Sequence, residues 1–194
     1  GLIIPVGKWI IQNAFSMCTE CRKYYPEFRV SINLSYVQIL KSPLMMELKQ
    51  IIDHSGISCS GIIVELTESG YLEGTPAVRS VWNDMKQLRI QIALDDFGTG
   101  YSNLMNISNL EPDIVKLDRG FTLKALSRSY EYQLMQYVIE MVHKLNQYVC
   151  VEGVETKEDL EKIKALGPDL IQGYYYSKPC SRDEFLKKFF DYSE

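Results

Sequence analysis

The sequence predicts an α/β fold, a (β/α)8 TIM-type barrel with about six of its eight strands present, and three observations predict it. Short β-rich runs recur at fairly even intervals along the 194 residues. The segments between most of them carry apolar residues at helical spacing. Each run ends in polar side chains that can bind a ligand. A parallel crossover needs a dozen or more residues and usually takes them as helix, so alternating strands and helices imply a parallel sheet. An open doubly wound sheet would gather its ligand groups at one switch point, whereas a barrel brings every strand end around one mouth. Polar groups at all the strand ends favour the barrel.

Leu2 to Met17 reads as a helix with Pro5 near its start. The first β-rich run, Arg29 to Leu34, ends at Asn33 and Ser35, and the second, Gly61 to Leu66, at Glu65 and Glu68. Val78, Val81, Trp82, Met85 and Leu88 then mark one face of a helix. Ile90 to Asp95 closes on the pair Asp95-Asp96, and Asp113 to Leu117 on Lys116 and Asp118. A second helical face follows in Leu134, Val138, Ile139, Val142 and Leu145. Tyr148 to Glu152 leads to Glu155, and Leu170 to Tyr174 carries Gln172. Thr156 with Asp159, and Ser181 with Glu184, match capping boxes, and Gly167-Pro168 supplies a helix stop. The strand count falls short of eight and the chain opens at Gly1, so the missing part of the barrel is expected upstream of the first helix.

Apolar residues make up 46% of the chain and charged residues 24%, enough for a packed core. The formal net charge of −4 argues against clamping a DNA or RNA polymer, which takes a basic face. No apolar run approaches the ~18 residues of a membrane span and no leader opens the chain, so the expected location is cytoplasmic, or a cytoplasmic domain of a larger, membrane-attached protein. The five cysteines lack a framework spacing, which suits a reducing compartment. Cys18 and Cys21 form one CxxC, read as two thiols on one helical turn rather than a zinc or redox site. With two histidines far apart, any metal would be held by carboxylates, which favours Mg²⁺ or Mn²⁺.

In the barrel, Glu65, Asp95, Asp96 and Glu152 crowd one cavity, and like charges so placed need protons or cations between them. Adjacent aspartates suit a pair of ions, since one can bridge both while its neighbour binds the second. A helix cap plus a solvated charge would explain a lone Asp-Asp, but the other polar strand ends weigh against it. Lys116 could orient or deprotonate a bound water, neutralise phosphate charge, or form a structural pair with a carboxylate. Gly98 and Gly100 allow a mobile loop over the mouth.

The ordered motifs Ser31-Ile32-Asn33-Leu34-Ser35, Glu65-Leu66-Thr67-Glu68-Ser69, Ala93 through Ser102, Asp113-Ile114-Val115-Lys116-Leu117-Asp118, Glu152-Gly153-Val154-Glu155-Thr156 and Gln172-Gly173-Tyr174-Tyr175 closely resemble the bacterial EAL-type cyclic di-GMP phosphodiesterases. The resemblance implies hydrolysis of cyclic di-GMP to linear pGpG with Mg²⁺ or Mn²⁺ in a two-metal site. It implies Asn33, Glu65 and Asp95 as ligands of one ion, and Asp95, Asp96 and Glu152 as ligands of the other. Lys116 would contact the attacking water, making Lys116, Glu152 and Gln172 the catalytic set. Glu155, Tyr174 and Pro179 would act in substrate binding or behind it, and Glu68 would anchor the loop Asp96 to Asn103. A homodimer, and an upstream diguanylate cyclase or sensory domain, are further implications.

The chain departs from the family in one respect that matters: the Glu-Ala-Leu tripeptide, whose glutamate is a metal ligand, does not occur in it. Gly120, where the family often has Ser, is a minor deviation. Residues 1–194 are therefore read as a single domain of this type lacking its N-terminal part. The alternative function is a catalytically impaired fragment, or a module that binds cyclic di-GMP or a protein partner. A carboxylate-metal barrel enzyme acting on another substrate is the remote third reading.

Overall fold

A computed structural model describes residues 1–67, 75–99, 107 and 110–190. The chain divides into two compact units, one of Gly1–Leu66, Gly70–Ile92 and Cys180–Glu194, the other of Thr67–Ser69 and Ala93–Pro179.

The first unit opens with helix α1 (Ile3–Cys21), whose buried face runs Gly7, Ile11, Phe15, Cys18, Cys21 at steps of three and four. Strand β1 (Val30–Asn33) follows, and Ser35 then caps helix α2 (Tyr36–Lys41) in a capping box with Gln38. Ser35 is therefore spent on the helix start, not offered as a strand-end ligand. Helix α3 (Leu44–Ser55) ends at Gly56, whose φ of +65° is the left-handed cap that glycine adopts without strain. Strand β2 (Ile62–Thr67) lies parallel to β1 with Val30 opposite Ile62 and Asn33 opposite Glu65. Helix α4 (Pro76–Gln87) starts with Pro in its first turn behind the N-cap Thr75 and buries Val78, Trp82 and Met85, on the face the periodicity marked. Helix α8 (Arg182–Phe190) joins this unit: the Arg182 guanidinium pairs with Glu20 of α1, and Phe28 meets Phe185 edge-on at 6.0 Å. The Ser181–Glu184 box is formed, and the N–H and O–H donors of Ser181 hold the Glu184 carboxyl below its ordinary pKa.

The second unit takes strand β3 (Gln91–Phe97) from Ala93 onward, then strand β4 (Ile114–Leu117), helix α5 (Arg119–Ser127), helix α6 (Ser129–Lys144), strand β5 (Tyr148–Glu152), helix α7 (Lys157–Lys164) and strand β6 (Leu170–Gln172). All four residues of β4 are buried, as expected of a strand covered on both faces. β4 runs parallel to β5 with Lys116 opposite Cys150, and β5 parallel to β6 with Glu152 opposite Gln172. Thr156 and Asp159 form the predicted box at the start of α7. Gly167 follows that helix at a φ of +74°, the stop the sequence marked.

The strand order runs β1 to β6 in sequence, and the paired strands are parallel. That is the succession of a (β/α)8 barrel, with six strands among the described residues. Each described strand lies within a residue or two of its predicted run, and α1 extends four residues beyond the predicted helix. No helix among the described residues is long and apolar enough to cross a membrane.

Candidate active site

The site is built on an irregularity in β3. Leu94 stands opposite Val115 and Phe97 opposite Leu117, so three steps along β3 match two along β4. The extra residue is a β-bulge at Asp95-Asp96, and Asp96 takes a φ of +60° to make it, a conformation Asp adopts more readily than most residues. The bulge breaks the strand's strict alternation of side chains exactly where two carboxylates adjoin in sequence. Asp95 is buried and Asp96 half-buried.

Across from the bulge, Lys116 is buried and its ammonium bridges two strands. Nζ stands 3.0 Å from Asp95 Oδ1 on β3 and 2.7 Å from Glu152 Oε1 on β5. Burial would penalise an isolated lysine charge, so the two carboxylates are what let Lys116 sit there charged. One cation between two carboxylates leaves the trio one charge negative. Asp95 Oδ1 is fully enclosed and, despite its ion pair, receives no hydrogen bond. The carboxylates here are hard oxygen donors, the ligand chemistry that a divalent cation takes. Among the described residues no group of three His, Cys, Asp or Glu side chains is close enough to hold a metal ion. Lys116 supplies the charge between Asp95 and Glu152 instead.

In the first unit, Asn33 ends β1 directly opposite Glu65 on β2. Glu65 is buried and accepts a short hydrogen bond from the Ser31 hydroxyl, two residues before Asn33 on the same face of β1. Asn33 is exposed. The register thus puts Asn33 and Glu65 at neighbouring positions at the C-terminal ends of adjacent parallel strands.

Glu152, Glu155, Gln172 and Tyr174, four of the predicted site residues, line one pocket of about 350 Å³ in the second unit. The parallel register of β5 and β6 sets Glu152 beside Gln172. Glycines make the pocket possible. A Cβ on Gly153, whose φ is +80°, would fall 2.4 Å from Arg119 Cγ, and one on Gly173 would fall 2.0 Å from the Val154 carbonyl oxygen. Pro179 is exposed and is not part of this lining. Glu68 and the loop residues Gly100 to Asn103 lie outside the described residues.

Sequence reasoning missed Arg119. It lines the same pocket, and its Nε and Nη2 donate to Glu155 Oε1 at 3.2 and 2.7 Å. A signal was available: Lys116 and Arg119 are three residues apart, as are their carboxylate partners Glu152 and Glu155. Cys18 and Cys21 are both buried on α1. Burial pushes the Cys21 thiol up to about 11 and raises that of Cys18, so neither is poised as a thiolate.

The EAL domain family model matches residues 1–179. A cyclic di-GMP phosphodiesterase of Escherichia coli K12, PdeF, is 31% identical over 179 residues, covering 92% of this chain and 24% of the relative. The EAL enzyme Bd1971, solved with cAMP and cyclic di-GMP bound, superposes with a TM-score of 0.91 at 28% identity, over 97% of this chain and 52% of that one. The phosphodiesterase PaMucR, solved as a c-di-GMP complex, gives a TM-score of 0.88 at 26% identity, over 96% and 76%. The chain spans about a quarter of the length of the curated relatives it matches.

Proposed function

The chain belongs to the EAL domain family, and from that premise we propose that the protein carrying it hydrolyses cyclic di-GMP to linear pGpG. The observation that carries the reading is the Lys116 bridge between Asp95 and Glu152, set against the Asp95-Asp96 bulge. It collects acid and cation from three strand ends, where barrel enzymes keep their chemistry.

On the motif match, Asn33, Glu65 and Asp95 would hold one divalent ion, and Asp95, Asp96 and Glu152 the other. The assignment rests on the motif match and on the oxygen-donor chemistry of these residues. Bound Mg²⁺ or Mn²⁺ would supply electrophilic stabilisation of the phosphodiester and a lowered pKa for water. The chain's own residues do the rest. Lys116, held by two carboxylates, presents its ammonium where a phosphate oxygen or the attacking water needs a donor. Gln172, opposite Glu152, offers an amide to orient that water. Glu155 and Tyr174 flank the same pocket and contact the nucleotide beyond the reacting phosphate.

The test is chromatographic detection of pGpG from cyclic di-GMP by the full-length protein with Mg²⁺ or Mn²⁺, expected to cease when EDTA removes the ion. Binding of cyclic di-GMP with no product would overturn hydrolysis and support a binding module instead.

A further inference from the structure

We propose that Arg119 and Glu155 form a base-reading subsite that recognises a guanine edge of the dinucleotide. The inference rests on the cyclic di-GMP reading above and extends it to a residue that the motifs did not single out.

The pair is locked and yet unsaturated. Nε and Nη2 of Arg119 both donate to Glu155 Oε1, which fixes the guanidinium beside the carboxylate. Among the described residues no bond is made by Arg119 Nη1 or by Glu155 Oε2. The two side chains are 58% and 39% exposed, so both edges face a ligand-sized space. A donor and an acceptor thus stand side by side in a fixed relation.

Guanine presents the complement along one edge: O6 accepts, while N1–H and the 2-amino group donate. A guanidinium suits O6, and a carboxylate takes the adjacent donors. Tyr174, with its ring about half exposed in the same pocket, carries Lys178 Nζ over one face at 5.8 Å and has the other face for a base to stack on. The room is kept by backbone: Gly153 carries no Cβ that would strike Arg119, and Gly173 none that would strike Val154.

A base fits here better than the second phosphate. Glu152 and Glu155 contribute two carboxylates to the lining against the one guanidinium of Arg119. Each carboxylate already has its cation, Glu152 in Lys116 and Glu155 in Arg119, so the described lining holds no unpaired cation for a second phosphate, while Glu155 Oε2 is left to accept from N–H donors. Glu152 also joins the two regions, since it pairs with Lys116 and lines the pocket. A nucleotide whose phosphate lies at Lys116 therefore has its base directed toward Arg119 and Glu155.

The experiment compares cyclic di-GMP with its inosine analogue, which lacks only the 2-amino groups, using the full-length protein. The wild type is expected to favour cyclic di-GMP in kcat/KM by about tenfold, the discrimination of one good base contact. Glu155→Ala should bring that preference close to unity, and Glu155→Asp should retain part of it. Arg119→Ala should raise KM for both nucleotides, which share O6, by about tenfold with kcat changed far less. The ratio of two substrates on one variant is insensitive to the fraction folded. Retention of the full preference in Glu155→Ala, or a fall in kcat at constant KM in Arg119→Ala, would overturn the subsite. Failure of the wild type to act on cyclic di-GMP at all would strike the proposed function, whereas equal turnover of both nucleotides by the wild type would strike the subsite alone.

Discussion

Asp95→Ala is expected to lower kcat for cyclic di-GMP hydrolysis in the full-length protein by about 10³-fold or more. Asp95 sits on the β3 bulge, is buried, and presents an enclosed oxygen that receives no hydrogen bond. In the proposed assignment it is the carboxylate shared by both ions. Electrophilic stabilisation of a phosphodiester is worth several kcal/mol, and each ~1.4 kcal/mol is a factor of ten in rate. Asp95→Asn separates chemistry from folding, since it keeps the shape and removes the charge. Lys116 keeps Glu152 as its partner in Asp95→Asn, so this variant should lose less stability than Lys116→Met while being nearly as inactive as Asp95→Ala. Steady-state kinetics with Mn²⁺ check this, and a variant retaining a tenth of the wild-type rate would contradict the assignment.

Lys116→Met is expected to have the largest effect on stability. The lysine side chain is 6% exposed and its partners Asp95 and Glu152 are 12% and 17% exposed. Methionine matches the length of the chain but leaves two carboxylates facing each other without a cation. Removing one member of a buried ion pair costs about 3 kcal/mol or more, because the remaining charge loses its partner while staying out of water. Urea unfolding in EDTA should show that loss. Millimolar Mg²⁺ should restore more stability to Lys116→Met than it adds to the wild type, since a ligand that binds only the folded state stabilises it by mass action. Equal stability of variant and wild type in EDTA would mean that the carboxylates do not depend on Lys116.

The parts of this arrangement that were legible in the sequence are those with a local cause. Six strands could be read because short β-rich runs alternate with helical spacing. The Thr156 and Ser181 boxes could be read because a cap and its partner lie three residues apart. Glu152 and Gln172 could be placed together because each ends a strand of one parallel sheet. The bulge was not legible, since it depends on register between β3 and β4 and on the +60° φ of Asp96, neither of which a run of side-chain types specifies. Ser35 resembled a strand-end ligand and is a helix cap, because its competing partner, the Gln38 backbone, lies on the next element. Lys116 could be placed near acids but not between two of them. Arg119 was passed over because it opens α5, where a surface charge is ordinary, and only the fold brings it to Glu155.

Manganese binding to the full-length protein, followed by electron paramagnetic resonance as Mn²⁺ is added in the presence of cyclic di-GMP at low temperature, tests the central claim most directly. The account predicts two ions per chain, and at most one in Asp95→Asn. No saturable binding, or the same stoichiometry in Asp95→Asn as in the wild type, would contradict it.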